Sequence, residues 1–222
     1  MCGRYSLICT DDFGNRFRVQ IPVIGCRSRF NVAPSQTMPV IVQREETEIV
    51  MMKWGLVPHW ARDPAPSRRP INARAETLAE RPMFRGLIRH NRCLVPASGF
   101  YEWKKEGNRK TPYYLRLKDD DLFAFAGLYD IWRDADGLPL ATYTIVTTAA
   151  NEVVAPIHDR MPVILRREDE ERWIGGVPPG QEDLRDLLGP YPARGMEAYP
   201  VSTQVNSPVS DDPGLIEPLD KE

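Results

Sequence analysis

Short apolar runs, bounded by charged or turn-forming residues, set the rhythm of this chain and predict strands far more often than helices. Residues 4–9 (RYSLIC), 38–42 and 49–53 read as strands, the last two joined by a charged turn at Glu45 and Glu46. Residues 98–103 (SGFYEW), 113–117, 122–129 and 141–147 read as further strands, punctuated by Gly107–Asn108 and by the acidic run 119–121. A polar stretch at 10–18 predicts a helix opened by an Asp or Thr cap. Asn72 is placed to cap a helix running through Glu80, and Pro82 suits the first turn of another reaching His90. Helices also fit 168–174 and 182–188, while the segment 151–160 fits no single element. Residues 54–58 (WGLVP) break the strand pattern, and 63–70 form a loop rich in Pro and Arg. The acidic, Pro-containing end, 211–222, is expected to be partly ordered. With no internal repeat or low-complexity linker, the pattern predicts a single α+β domain over 1–222, with a curled, mostly antiparallel sheet and a few short helices.

Composition adds bounds to this picture. The 222 residues are 42% hydrophobic, enough for a substantial core. No apolar run is long enough to span a bilayer, and the first residues lack the charged-then-apolar pattern of a signal peptide, so a soluble, cytoplasmic protein is expected. The net charge of −2 argues against a simple nucleic-acid binder. Its distribution does not: residues 1–118 carry 21 Lys and Arg against 10 Asp and Glu, whereas 119–222 carry 8 against 21. A basic half can build a phosphate-binding face on an acidic protein. Of the four cysteines, Cys9, Cys26 and Cys93 sit among apolar or aromatic neighbours and read as inert thiols. No C-x-x-C pair is present, and neither the cysteines nor the three histidines have metal-ligand spacing, so no metal is expected.

Cys2 is different because of its position. Removal of Met1 leaves an α-amine, of pKa about 8, and a thiol on adjacent carbons. Such an aminothiol condenses with an aldehyde to an imine and then closes a five-membered thiazolidine ring, where a lysine stops at a reversible imine. Glu102, flanked by aromatics in Gly99–Trp103, is a candidate general acid if desolvated. His158 is a candidate acid or base near neutral pH. Asn72 caps a helix or points its amide at a reacting group. Arg4, Arg74 and Arg160 are candidate phosphate contacts, with Arg68, Arg69, Arg85 and Arg89 behind them. Trp54, Trp60, Tyr101 and Trp103 are candidates for stacking on unpaired bases. His59 and His90 read as surface residues.

The segments MCGRY (1–5), FNVAP (30–34), WGLVP (54–58), NARAE (72–76), RCLVP (92–96), GFYEW (99–103), TTAA (147–150), HDRMP (158–162) and 201–206 occur in the order found in the SRAP (SOS response-associated peptidase) family, which the chain resembles over almost its whole length. The resemblance implies a single SRAP-type domain with a barrel-like core. It also implies a function in the DNA damage response: binding of abasic sites in single-stranded DNA and their capture by Cys2 as a thiazolidine DNA–protein cross-link, a lyase-like chemistry that needs no cofactor. By the same resemblance, Glu102 opens the sugar ring and shuttles protons, His158 assists imine chemistry and reversal, Asn72 positions the reacting groups, and Arg4, Arg74 and Arg160 hold phosphates. The family name also implies a peptidase, here reduced to removal of Met1. A monomer is expected, nucleoid-associated in a bacterium. Two alternatives remain at this point, an N-terminal-cysteine amidohydrolase and a non-catalytic module that binds single-stranded DNA.

Overall fold

The computed structural model describes residues 2–20, 26–62 and 69–219. Its strands are β1 (Tyr5–Leu7), β2 (Arg29–Val32), β3 (Thr37–Gln43), β4 (Thr47–Trp54), β5 (Asn72–Arg74), β6 (Arg92–Ala97), β7 (Gly99–Glu106), β8 (Arg109–Leu117), β9 (Phe123–Arg133), β10 (Pro139–Ala149), β11 (Arg160–Pro162) and β12 (Met196–Pro200). The α-helices are short: α1 (Phe13–Phe17), α2 (Pro82–Arg85), α3 (Leu87–His90), α4 (Glu170–Ile174) and α5 (Gln181–Leu187).

Five strands close on themselves. β3 pairs antiparallel with β4 and β6, β6 with β9, and β9 with β10. β10 then returns to β4 in parallel at Thr142↔Lys53 and Tyr143↔Trp54, completing a barrel without free edges. The β-branched and aromatic residues that read as strands fill it: Val40, Ile41, Val42, Phe125, Tyr143 and Ile145 are fully buried. Gly127 on β9 is required by this packing, since a Cβ there would lie 2.8 Å from Cys93 Sγ and from Val95 Cγ2. β5 and β11 extend the barrel along the end of β10.

A second, antiparallel sheet has the order β12-β8-β7-β1-β2. The chain passes from barrel to sheet through Ser98, and at Gly99 the fold again requires glycine, because a Cβ would fall 2.3 Å from the Tyr114 hydroxyl. That hydroxyl is hydrogen-bonded to Ser6 Oγ at 2.8 Å, and Tyr5 and Tyr143 join hydroxyl to hydroxyl at 2.7 Å between sheet and barrel. The fold is therefore α+β, mostly antiparallel and barrel-like, with few short helices. No helix among the described residues is long and apolar enough to cross a membrane.

Four expectations need correction. Asn72 does not cap a helix; it begins β5, and only a 3-10 turn, Ala75–Thr77, follows. Partnership with β10 decides this, a nonlocal contact that overrides the local Asn signal. The predicted helix at 82–90 is two single turns, α2 and α3, either side of Gly86. The tail is docked as far as Leu219: Leu215 is fully buried, and Asp211 accepts hydrogen bonds from the backbone N–H groups of Phe30 (2.6 Å) and Asn31 (3.0 Å). Finally, Cys9 and Cys26 are not separate thiols but a disulfide spanning α1, with Cα atoms 5.6 Å apart. Most of the loop at 63–70, and Arg68 with it, lies outside the described residues.

Candidate active site

Cys2 precedes β1 and is fully buried, its thiol donating to the Arg4 carbonyl at 3.8 Å. Asn72 reaches it from β5. The Asn72 Nδ2 donates to the Cys2 carbonyl at 2.8 Å, and the amide oxygen Oδ1 is buried with no hydrogen-bond partner among the described residues. Alternation along β5 explains the aim: Ala73 turns into the barrel, while Asn72 and Arg74 share the other face. Asn72, with no helical role, thus becomes a pointing device because β5 is tied in parallel to β10.

Glu102 arrives on β7, whose pairing with β1 sets it beside the N-terminal segment. It is 3% exposed. Burial pushes its carboxyl above the ordinary range, partly opposed by positive charge that includes the His158 imidazole. Burial likewise pushes the Cys2 thiol upward, and the Glu102 carboxylate adds to the rise. Glu102 therefore lies within electrostatic reach of both Cys2 and His158, a juxtaposition spread over more than 150 residues of sequence.

His158 closes a turn, its N–H donating to the Val154 carbonyl at 2.9 Å. Its Nδ1 accepts the Arg160 backbone N–H at 3.0 Å, which leaves the proton of the neutral ring on Nε2. The exposed Asp159 carboxylate lies 2.8 Å from the same nitrogen and becomes its acceptor only in the protonated ring.

The candidate phosphate contacts differ sharply in freedom. Arg74 is exposed on β5. Arg160 grips Glu76 through both terminal nitrogens, at 2.6 and 2.9 Å, and donates to the Thr147 carbonyl at 2.8 Å. Arg4 donates from Nη1 to Asn31 Oδ1 (2.7 Å) and to the Val205 carbonyl (2.8 Å), and its guanidinium lies 5.9 Å from the Trp103 ring centroid. Trp103 is half-buried and donates from its indole to Asn206 Oδ1 at 2.7 Å. Arg85 and Arg89 are exposed on α2 and α3.

Trp54 is no base-stacking platform. It is fully buried, donates to the Ile71 carbonyl at 2.9 Å and lies edge-on to Tyr5 in the core. Tyr101 is also buried, its hydroxyl donating to the Phe30 carbonyl at 2.6 Å. Sequence reasoning missed Asn31 and Glu76 as individuals, although both fall in quoted motifs. Asn31 is fully buried and donates to the carbonyls of Ser207 (2.9 Å) and Ser210 (2.8 Å) while accepting from Arg4. A polar residue inside an apolar strand, as in FNVAP, is the signal that could have exposed it.

Residues 1–208 match the SOS response associated peptidase (SRAP) family. The chain is 45% identical to the abasic site processing protein YoqW of Bacillus subtilis, over 98% of this chain and 99% of that one. It is 30% identical to the abasic site processing protein YedK of Escherichia coli, over 99% and 100%. A crystal structure of a protein from Bacteroides thetaiotaomicron superposes with a TM-score of 0.89 at 31% identity, covering 98% of this chain and all of that one.

Proposed function

This chain belongs to the SOS response associated peptidase (SRAP) family, and from that premise we propose that it captures abasic sites in single-stranded DNA as a covalent cross-link to Cys2. The observation that carries the reading is the convergence of Asn72 and Glu102 on Cys2: an amide held 2.8 Å from the Cys2 carbonyl, and a buried carboxyl whose charge is felt by the Cys2 thiol.

Once Met1 is removed, Asn72 holds the Cys2 backbone so that amine and thiol face the same carbon. The thiol, buried and raised in pKa, stays protonated, so the amine attacks first. It adds to the C1′ aldehyde of the ring-opened sugar. Glu102, a carboxyl that burial keeps protonated to higher pH, delivers a proton to the departing hydroxyl, and water leaves to give the imine. The Cys2 sulfur then adds to the imine carbon while its proton passes by way of the Glu102 carboxylate to the nitrogen. The product is a thiazolidine, with one water released overall. His158, whose neutral ring carries its proton on Nε2, assists protonation of the imine and its reversal. Arg4, Arg74 and Arg160 hold the flanking phosphates, Arg160 exchanging Glu76 for DNA, and Trp103 offers the stacking face.

A single-stranded oligonucleotide with one abasic site, mixed with the protein and run on a denaturing gel beside Cys2→Ala, tests this. A heat-stable shifted band is expected for the wild type and none for the variant. Absence of that band in wild type whose intact mass shows that Met1 is gone would overturn the proposal. Ammonia release from glutamine would instead favour an amidohydrolase.

A further inference from the structure

The β7–β8 hairpin beyond Trp103 has two faces of different charge design. On one face Lys104 Nζ lies 2.7 Å from Glu106, and Glu106 pairs in register with Arg109. Opposite charges meet there, as hairpin stability requires. The other face continues the alternation of Tyr101 and Trp103 to Lys105, and Lys105 sits directly opposite Lys110, as Trp103 sits opposite Pro112. Like charges directly opposite one another weaken a strand pair. Both lysines are exposed, and neither forms an ion pair among the described residues. Fold stability gives no reason for this pair, while the same hairpin shows on its other face how the charges would be balanced.

Their placement supplies a reason. Lys105 stands two residues past Trp103 on the same face, about 7 Å along the strand. Trp103 itself carries the Arg4 guanidinium 5.9 Å from its ring. The face thus runs from a partly desolvated arginine over an indole to two unneutralised ammonium groups. That order suits a nucleotide strand, with a base on the ring and phosphates at the cations.

We propose that Lys105 and Lys110 form a phosphate clamp that extends the nucleic-acid face past Trp103 and holds the strand next to the lesion. The inference rests on the abasic-DNA reading and adds a stated contact surface to it. The clamp is sequence-independent and raises affinity without touching the chemistry at Cys2.

The test compares full-length wild type, K105A/K110A, K105R/K110R and the opposite-face control K104A. Anisotropy of a labelled, undamaged single strand is followed as salt is raised. Each phosphate contact on a single strand steepens the log–log salt slope by about 0.7, so wild type should lose about sevenfold more affinity than K105A/K110A between about 50 and 200 mM salt. K104A should keep the wild-type slope, and K105R/K110R should restore it. At saturating protein, K105A/K110A should give the wild-type yield of cross-link, and its melting temperature should be no lower, since a repulsion is removed. An unchanged slope in K105A/K110A overturns the clamp while leaving the Cys2 reading intact. Wild type that neither binds single strands nor cross-links abasic ones overturns both.

Discussion

Glu170 and Glu102 are both buried, 7% and 3% exposed, in regions built to opposite ends. Glu170, on α4, accepts both terminal nitrogens of Arg16 from α1, at 2.8 and 2.7 Å, and Arg16 also donates to the Leu122 carbonyl at 2.9 Å. The carboxylate there meets a full complementary charge, and the pair fastens two short helices that neither propensity nor length would hold. Glu102 instead lies within electrostatic reach of the Cys2 thiol and of positive charge that includes the His158 imidazole, and burial is the largest influence on its carboxyl. One site uses a buried acid as an anchor. The other leaves it poised to gain or lose a proton. Burial alone therefore does not identify a functional carboxylate; the chemistry of what surrounds it does.

The largest effect that sharpens the contrast is on reaction rate. Glu102→Gln keeps the shape and removes the titrating proton, and cross-linking measured under single-turnover conditions should slow by about 10²–10⁴-fold, the usual worth of a general acid or base. Its melting curve should stay near that of the wild type. Glu170→Ala should do the reverse. It leaves Arg16 buried without a countercharge and should cost about 3–5 kcal/mol in denaturant unfolding, with the rate of cross-linking by the folded fraction unchanged. If Glu102→Gln unfolds the protein, or Glu170→Ala slows the chemistry of the folded fraction, the distinction fails.

The smallest effect is the pH dependence of stability. Burial raises the folded-state pKa of Glu102 above its unfolded value. The folded chain thus holds this proton more tightly, and the resulting stability is complete below the unfolded carboxylate pKa of about 4.3. It is lost as pH rises through the folded value. Glu102→Gln lacks that loss, so its stability relative to wild type should increase as pH climbs from about 4.3 toward neutrality. A difference independent of pH would show that Glu102 titrates as an ordinary carboxyl. Over the same range the neutral, nucleophilic fraction of the Cys2 amine, of pKa about 8, grows, so the wild-type cross-linking rate should rise and then level off as protonated Glu102 is consumed.

Much of the barrel was legible residue by residue. The runs at 38–42, 49–53, 122–129 and 141–147 all became strands, because β-branched and aromatic residues in short bounded runs bury well on a pleated surface. β2, β5, β6, β11 and β12 were not foreseen. Each has few residues and exists through a partner distant in sequence, as β5 does through β10. The same cause hid Asn72. Its N-cap reading was sound local chemistry, yet a parallel pairing with Ile145 took precedence. Trp54 misled for a related reason: a tryptophan beside a Gly–Pro turn reads equally well as a surface platform or a core plug, and only barrel closure at Tyr143↔Trp54 separates the two.

The sequence by itself determined which chemistry was on offer. Cys2 after Met1 would become an aminothiol on removal of Met1, Glu102 among aromatics marks a carboxyl open to desolvation, and the charge asymmetry marks a basic half. These are properties of residues and near neighbours. Only the tertiary structure decided which residues meet: that Asn72 reaches the Cys2 carbonyl, and that Arg160 is held by Glu76 while Arg74 is exposed. Those contacts depend on strand register and on the barrel's closure, and register is a collective property of pairings far apart in the chain, which no local window contains.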